Sequence, residues 1–566
     1  MRGIERLTKL LILFSAFALS TYFALQFRSG GLWHGIEPAH AVAARSAVDA
    51  KTPYDLTKLE AVTATIQTIR DKYVDPTRVK PKQMLLSALD FVQRDVAQVI
   101  VLRESNSDEV TVRVGSQQMV FDVSNVQGPW DVSAKLRDIF AFLQQHLKTD
   151  TDVDLREVEY AACNGMLNTL DPHSVFLSPE AYREMTISTQ GAFGGVGIVI
   201  SIRDQLLTVI KPMPGTPAGR AGLKQYDRIV RINNESTLNM PLDDAVRRLR
   251  GDPGTEVSVW VTREGPGGWS GSKPFKLRRE VINVESVESR MLDQGVGYIR
   301  LKQFQAGTAG ELDNALVALH RAEPKMRGLV LDMRSNPGGL LDQAVKVADR
   351  FLRSGVVVTT VSASEPRDEK VAKSPGTEPD YPLVVLVNSS SASASEIVAG
   401  ALKNHNRAII VGQKTFGKGS VQLVFPDVTR EKAALKLTIA QYLTPGDISI
   451  QSVGITPDIE LDPMTVDTLE MDVMRPGKRM SERDLSKHLS SARAAAGQKP
   501  LEIVRYNMPS AEREAMRERG GDPEDDFTMD FTTRFARDLV LNVPTGLSRV
   551  EAVRKAAEFI DKVRQD

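Results

Sequence analysis

The chain of 566 residues has one cysteine and seven histidines, which limits the chemistry that it can carry. A single cysteine excludes an intramolecular disulfide and any metal site built from several thiolates. Cys163 lies in an apolar helical pattern, which predicts a buried structural thiol rather than a nucleophile. The sequence contains no His-Glu-x-x-His motif, so it gives no support for a zinc protease. We expect no metal and no other cofactor.

The sequence also lacks an excess of charge of either sign, because 72 basic residues balance 72 acidic residues. This balance gives no basic footprint for nucleic acid, and we expect none as a partner. Hydrophobic residues make up 42% and charged residues 25%, as in ordinary globular proteins. The chain is too long for one hydrophobic core, so we expect about three or four globular domains.

The amino terminus has the pattern of an export signal. Three basic residues precede a mostly apolar run over residues 10–25, which becomes long enough to span a bilayer when it is extended through Phe27. We expect residues 8–27 to anchor the chain to the cytoplasmic membrane, with the rest on the periplasmic or other extracytoplasmic side. Ala41-Val42-Ala43 offers a cleavage site, so a cleaved signal peptide is the alternative.

The patterns along the chain predict a multidomain α+β protein. After the signal or anchor segment (1–43), residues 44–186 read as a mainly helical region, with helices over 59–73 and 154–170. Alternating apolar residues on both sides of Gly115-Ser116 predict a hairpin inserted in that region. Residues 187–285 contain short strands and one clear helix at 241–250, which predicts a small α+β or barrel-like module.

Residues 286–465 alternate strand and helix and predict an α/β core with a parallel sheet. Residues 328–334 read as a strand, 340–352 as a helix and 356–361 as a strand, which we interpret as a βαβ unit with parallel strands. The pattern repeats with a strand at 383–388, a helix at 393–404 and a strand at 408–412.

Residues 466–566 form a charged extension with weak patterning, except for a capped helix predicted at the very end, over residues 548–560. We expect this extension to serve oligomerisation or a regulatory partner.

Two polar stretches of the core carry the chemistry. Ser393 lies in a run of serines and alanines between a strand and an apolar helix, where the backbone N–H groups of a helix start can bind a developing oxyanion. Plain helix capping is the competing interpretation of that serine. Lys418 lies between two glycines and before an apolar strand, a setting that can desolvate an amine and make it a base. A solvated turn lysine is the competing interpretation.

Together these stretches resemble the carboxyl-terminal processing proteases, also called tail-specific proteases. The family segments Ser-Ala-Ser-Ala-Ser-Glu-Ile and Thr-Phe-Gly-Lys-Gly-x-Val-Gln stand at residues 391–397 and 415–422. The resemblance implies Ser393 as the nucleophile, Lys418 as the base and Gln422 as a support for the lysine. A third segment, at residues 332–340, implies that Gly338 or Gly339 supplies one oxyanion donor, with the N–H of Ala394 as the other.

Residues 187–285 likewise resemble the PDZ module of that family. Its carboxylate-binding loop corresponds to Phe193, Gly194, Gly195, Val196 and Gly197. The resemblance implies capture of the free carboxyl-terminal tails of protein or peptide substrates, by addition of the tail as a strand.

The sequence allows three rival interpretations. Residues 412–418 fit half of a phosphate-binding loop, but Gly419 stands where Mg²⁺ needs a serine or threonine. A Ser-His-Asp triad would need His405, which lies about three turns along the helix from Ser393, or His173, for which a structural role in a turn is favoured. The non-enzymatic rival is an inert PDZ scaffold, and the presence of Ser393, Lys418 and Gln422 argues against it.

Overall fold

The computed structural model describes residues 54–104, 107–147, 153–265, 267–362, 366–467, 472–474, 480–491, 498–507 and 530–565. The predicted anchor at residues 8–27 and the candidate cleavage site lie outside the described residues. None of the described helices is long and apolar enough to cross a membrane. Thr186–Ser286 form one compact unit, and the described residues before and after it together form the other.

The amino-terminal region is mainly helical, as predicted. Its helices pack through a shared core that includes Leu85, Leu89 and Phe140, and Cys163 is fully buried in the same core. Gly115 turns the predicted hairpin with φ 59°. The elements are α1 (Glu60–Lys72), α2 (Pro81–Asp95), β1 (Val99–Leu102), β2 (Glu109–Val114), β3 (Gln117–Asp122), α3 (Pro129–Leu147), α4 (Leu155–Asn168), β4 (Val175–Leu177) and α5 (Pro179–Gln190).

The unit Thr186–Ser286 contains a twisted antiparallel sheet and a separate two-stranded ribbon. The ribbon is β5 paired with β12, and the sheet has the order β11-β10-β8-β7-β6, with β9 on β8. The elements are β5 (Ala192–Gly195), β6 (Ile198–Arg203), β7 (Leu206–Pro212), α6 (Pro217–Arg220), β8 (Arg228–Ile232), β9 (Glu235–Ser236), α7 (Leu242–Leu249), β10 (Glu256–Thr262), β11 (Lys273–Arg278) and β12 (Glu280–Asn283).

A largely parallel sheet forms the centre of the other unit. Its order is β13-β14-β15-β18-β19-β23-β24, and the strands from β14 to β23 run parallel. β15 and β18 are buried along their whole length because both faces of the sheet are covered. The elements are β13 (Val287–Leu292), β14 (Val296–Leu301), α8 (Thr308–Ala322), β15 (Gly328–Asp332), α9 (Leu341–Asp349), β16 (Val356–Val361), β17 (Asp368–Val371), β18 (Leu383–Val387), α10 (Ala394–Asn404), β19 (Ile409–Gly412), β20 (Ser420–Phe425), β21 (Ala434–Thr444), β22 (Ile448–Ser449) and β23 (Ile459–Asp467).

The predicted βαβ unit over residues 328–361 is wrong in its pairing. β16 does not join β15, because both edges of β15 are already occupied by β14 and β18. β16 instead pairs antiparallel with β17 and β21 in a second sheet of order β17-β16-β21-β20, to which β4 and β22 also attach through β21. The repeat that follows, β18-α10-β19, does form the predicted parallel pair.

The charged extension packs on the core as part of the same unit. β25 (Glu502–Asn507) runs parallel to β23, and β24 (Asp472–Met474) pairs antiparallel with β23. Helices α11 (Phe531–Asn542), α12 (Arg549–Lys555) and α13 (Ala557–Gln565) bury Phe535, Leu539 and Ile560 in a core shared with β14, β15 and β18. The predicted terminal helix is thus two helices: Ser548 caps the first, and the break falls at Ala556.

Candidate active site

Three neighbouring parallel strands bring the predicted site residues to one edge of the larger sheet. Gly338 and Gly339 follow β15, Ser393 follows β18, and Lys418 lies on the loop after β19. The carboxyl ends of parallel strands meet at one edge, where open α/β folds place their sites. The order β15-β18-β19 therefore puts Ser393 between the glycine loop and the lysine loop.

Ser393 is held in a strained backbone conformation at the start of α10. Its φ of 56° and ψ of −113° are unusual for a residue with a side chain, and such strain costs about 1–3 kcal/mol. Two other serines of the run use their hydroxyls structurally. Ser391 Oγ donates to Met333 O at 2.8 Å and Ser395 Oγ donates to Asn336 O at 2.9 Å, and both residues are fully buried. Ser393 is 9% exposed, which leaves it the most accessible of the three.

Glu396 ties the serine loop to the lysine loop. Its Oε2 accepts the backbone N–H of Ser393 at 2.8 Å and that of Lys418 at 2.9 Å. Two nitrogens bonded to one oxygen at such distances lie within about 6 Å of each other. Glu396 Oε1 accepts the Thr415 hydroxyl at 2.6 Å and Gly417 N–H at 2.7 Å. Burial raises the pKa of Glu396 to about 7, although all four of these hydrogen bonds act in the opposite direction.

Glu396 was not assigned a role from the sequence, although it stands in the segment that carries the family resemblance. The available signal was its place three residues after a serine that begins a helix, where glutamate completes a capping box. Its Oε2 does accept the Ser393 N–H. The sequence did not show that the same carboxylate also binds a loop more than twenty residues later.

Lys418 is partly buried, and the loop accepts only glycine at the positions on either side of it. A Cβ on Gly419 would lie 2.5 Å from Gln451 N, and Gly417 has φ 98°. Burial lowers the pKa of Lys418, while the carboxylates of Glu482, Asp171 and Glu396 oppose that shift. In the part of the chain that the structure describes, no direct hydrogen bond joins Lys418 Nζ to Ser393 Oγ. The link between the two residues is the Glu396 carboxylate, which accepts both of their backbone N–H groups.

Gln422 lies on β20, and its amide reaches other groups than Lys418. Its Nε2 donates to Ser420 Oγ at 2.9 Å and to Thr438 Oγ1 at 3.3 Å. Thr438 Oγ1 in turn donates to Asp171 Oδ1 at 2.9 Å, and Asp171 is one of the carboxylates that act on Lys418. Gln422 is thus connected to the charge environment of Lys418 through two intermediates.

The glycine loop lies directly against the serine. A Cβ on Gly338 would lie 2.8 Å from Ser393 Cβ and 2.9 Å from Ala394 N, so only glycine fits there. Gly338 N–H donates to Asn336 Oδ1 at 2.9 Å. Among the described residues, neither Gly339 N–H nor Ala394 N–H has a hydrogen-bond acceptor. Fully buried Asn336 fixes the distance between the loops, because its O accepts Ala392 N–H at 3.0 Å.

Two buried polar contacts from the charged extension reach residues around the site, and the sequence predicted neither. Fully buried Glu482 hydrogen-bonds His173 Nε2 at 3.0 Å and accepts Gln451 Nε2 at 3.0 Å. Although burial opposes it, the charge and hydrogen bond of His173 lower the pKa of Glu482. At the glycine loop, Arg334 binds Asp332 and reaches Asp530 at 2.5 Å, which fixes the start of α11.

The two histidines weighed as bases both have other partners. His173 Nε2 faces Glu482, and the backbone N–H of His173 donates to Asp171 Oδ1 at 2.8 Å, which fixes the turn. His405 Nε2 is hydrogen-bonded to Val356 O at 2.7 Å. In both rings, Nε2 is therefore bonded to a group other than Ser393.

The predicted tail-binding loop is at the start of the sheet in the unit Thr186–Ser286. Phe193, Gly194 and Gly195 lie on β5 and pair with β12, Val196 is buried, and Gly197 turns the chain into β6 with φ 75°. β6 stands at the end of the strand order, so its outer edge has no partner strand among the described residues. An edge of this kind can accept an added strand. Ile198 and Ile200 on β6 and Leu242 on α7 pack against one shared core.

Comparison with known proteins defines the class. Residues 295–461 match the model of Peptidase family S41, and residues 184–262 match that of the PDZ domain. The larger sheet with its serine loop, together with these matches, marks a serine-type peptidase that carries a PDZ domain. The expected multidomain α+β fold is confirmed.

Two sequence relatives agree with that class, and one solved structure is also similar to the chain. The carboxy-terminal-processing protease of Bartonella bacilliformis is 40% identical over 344 residues, which are 60% of this chain and 77% of that protein. The carboxyl-terminal-processing protease of Synechocystis sp. is 39% identical over 310 residues, 54% of this chain and 71% of that protein. A solved structure of a photosystem II D1 C-terminal processing protease is 27% identical, covering 73% of this chain and 94% of that one with a TM-score of 0.37. The chain belongs to the carboxy-terminal-processing proteases of peptidase family S41, as its motifs had indicated.

Proposed function

We propose that the chain is an endopeptidase in which Ser393 is the nucleophile and Lys418 the general base. The observation that carries this proposal is the shared carboxylate of Glu396, which binds the backbone N–H groups of both residues through one oxygen. This contact fixes the serine and lysine loops together. The lowered pKa of Lys418 supports a neutral amine, which a base must be.

In the proposed reaction, neutral Lys418 takes the proton of the Ser393 hydroxyl while Ser393 Oγ attacks the scissile carbonyl. Apo sites often hold such pairs too far apart for a hydrogen bond, and substrate binding brings them together. The lysine then gives its proton to the leaving amine, and water hydrolyses the acyl-enzyme. No step needs a metal or a nucleotide.

For the oxyanion we propose the N–H groups of Gly339 and Ala394. Gly338 N–H is the weaker candidate because it already donates to Asn336 Oδ1. A donor of this kind is worth about 3–4 kcal/mol in other serine proteases. For Gln422 we propose an indirect role, through Thr438 and Asp171, in the environment of Lys418.

The pH dependence of cleavage tests the dyad. Because only the neutral amine can accept the Ser393 proton, kcat/KM should fall about tenfold per pH unit below the pKa of Lys418. Since burial lowers that pKa, the fall should begin below the ordinary lysine value of 10.5. The measurement is a pH–rate profile of the full chain on an unfolded model protein with a free carboxyl terminus. A flat profile from pH 6 to 10 would contradict a lysine base.

We also propose that the PDZ domain captures the carboxyl-terminal tails of protein substrates. The edge of β6, which has no partner strand among the described residues, and the Phe193–Gly197 loop support this role. Amidation of a substrate's terminal carboxylate removes the charge that backbone N–H groups would bind, so binding should weaken by about tenfold or more. The measurement compares the affinities of acid and amide forms of one peptide for Ser393→Ala protein. Equal affinities would refute tail recognition.

We further propose that the substrates are exported proteins and that the chain is exported with them, anchored by residues 8–27. The basic residues before the apolar run support this orientation. Amino-terminal sequencing of the mature protein separates an anchor from a cleaved signal peptide. Accumulation of the active protein in the cytoplasm would contradict export.

A further inference from the structure

A short segment of the charged extension, residues 480–491, lies against the lysine loop. The backbone N–H of Glu482 donates to Phe416 O in that loop at 3.0 Å. Leu485 packs with Phe416 and with Ala392 of the serine loop in one buried apolar cluster. The segment therefore contacts both of the loops that carry the proposed dyad.

The side chain of Glu482 reaches the lysine loop a second time, through Gln451. Gln451 Oε1 accepts the backbone N–H of Gly419 at 2.9 Å, and Gln451 Nε2 donates to Glu482 Oε1 at 3.0 Å. Both side chains are fully buried. One end of an amide only accepts and the other only donates, so the Glu482 carboxylate fixes which end of Gln451 faces Gly419. A Cβ on Gly419 would lie 2.5 Å from Gln451 N, so the two residues are in close contact.

Glu482 is itself held by the amino-terminal region of the chain. His173 Nε2 lies 3.0 Å from each of the two Glu482 carboxylate oxygens. His173 Nδ1 is buried and has no hydrogen-bond partner among the described residues. Either tautomer of the ring leaves Nδ1 without a partner, so Nε2 can donate to a carboxylate or accept from an amide. The contact between these residues is therefore compatible with either a glutamate or a glutamine at position 482.

We propose that Glu482 is a positioning residue for Lys418, because it orients Gln451, whose amide holds the backbone of the lysine loop at Gly419. The inference rests on the proposed role of Lys418 as the base. Glu396 binds the loop at the Lys418 N–H, and Gln451 binds it at the next residue. A base must lie within hydrogen-bond reach of the proton that it takes, and a misplacement of about 1 Å can cost about 10²-fold in rate.

The experiment measures kcat and KM for the full chain carrying Glu482→Met, which has a similar length but offers no acceptor to Gln451. We expect kcat to fall by about 10²-fold, as for a misplaced catalytic group. KM should not change, because the lost contacts position the base and do not bind substrate. The charges of Glu482 and Lys418 also act on each other. Rates are therefore compared on the alkaline plateau, where Lys418 is neutral in every variant, and well below the melting temperature of each.

Three further variants separate this chain of hydrogen bonds from a general effect on stability. Glu482→Gln should restore kcat, because its carbonyl can accept Gln451 Nε2 while its amide donates to His173 Nε2. Gln451→Met breaks the same chain at its other end and should lose as much as Glu482→Met. The double variant should lose no more than the worse single variant, since both residues act through one contact. Ser486→Ala is the matched control, exposed in the same segment, and should leave kcat unchanged.

The outcomes distinguish this inference from the dyad itself. If Glu482→Met keeps its kcat while Lys418→Met is inactive, the dyad stands and the role of Glu482 is refuted. A folded Glu482→Gln protein that stays as slow as Glu482→Met would also refute it, as would additive losses in the double variant or a rise in KM alone. If Glu482→Met does not fold, full activity of Gln451→Met refutes the inference. Activity in Lys418→Met would overturn the dyad and this inference with it.

Discussion

Replacing Ser393 by alanine is expected to lower kcat for peptide-bond cleavage by about 10⁴-fold or more, as loss of the nucleophile does in other serine proteases. The fold should survive. Alanine keeps the Cβ that Gly338 packs against, and it keeps the backbone N–H that binds Glu396. Loss of a helix-capping hydroxyl costs at most about 1–2 kcal/mol of unfolding free energy.

The measurement is single-turnover cleavage of an unfolded protein, followed by mass spectrometry, with a thermal melt of the same sample. Ser390→Ala is the matched control, because it deletes a hydroxyl three residues earlier in the same run. That variant should keep activity within about twofold, as expected of a substitution outside the site. A Ser393→Ala enzyme that retains a tenth of the activity would exclude Ser393 as nucleophile.

The positions of the serine and glycine loops could be predicted in part because each follows an apolar strand. Buried runs such as Leu383–Val387 are visible in the sequence, and their carboxyl ends share one edge of a parallel sheet. The strand pattern thus predicts that the serine lies at the carboxyl edge of the sheet, whereas its place beside Gly338 or Gly339 was implied only by the family resemblance. The pairing of Val356–Val361 could not be predicted, because an apolar run indicates a strand but does not name the neighbour along which it lies.

The charged groups of the site were less predictable. Glu396 and Glu482 are ordinary polar residues in the sequence, and their burial follows only from contacts distant along the chain. Glu482 belongs to the charged extension, which was expected to serve oligomerisation or a regulatory partner. The sequence did not show that this region contributes a buried carboxylate to the lysine pocket, because its partners His173 and Gln451 lie 309 and 31 residues away.

The charged extension is integral to the core for a physical reason that the sequence conceals. Phe535 and Leu539 show helical spacing, but the surface that they cover is made by Tyr298, Val330 and Val384. The apolar pattern of those strands shows that this face of the sheet is covered, but it does not show which helix covers it. Arg334 adds a specific link, since it joins the glycine loop to Asp530.

The lysine variants decide between a base and a fixed charge. Replacing Lys418 by methionine should lower kcat by about 10³–10⁴-fold, because general-base catalysis contributes up to that much. Replacing it by arginine should cause a similar loss. A guanidinium stays protonated at every accessible pH and so cannot accept the Ser393 proton. If Lys418 acted only as a positive charge, the arginine variant would keep most of the activity.

The arginine variant also controls for loss of stability, because it keeps a cation beside Glu482 and Asp171. The methionine variant leaves those two carboxylates without that cation. Lys414→Met is the matched control, as Lys414 is exposed four residues earlier in the same loop. Raising the pH should not rescue either Lys418 variant, although it should accelerate the unchanged enzyme. The Glu396 carboxylate binds the backbone N–H of Lys418 and not its amine, so the loops should stay joined in both variants. Any loss of cleavage is then caused by loss of the amine itself.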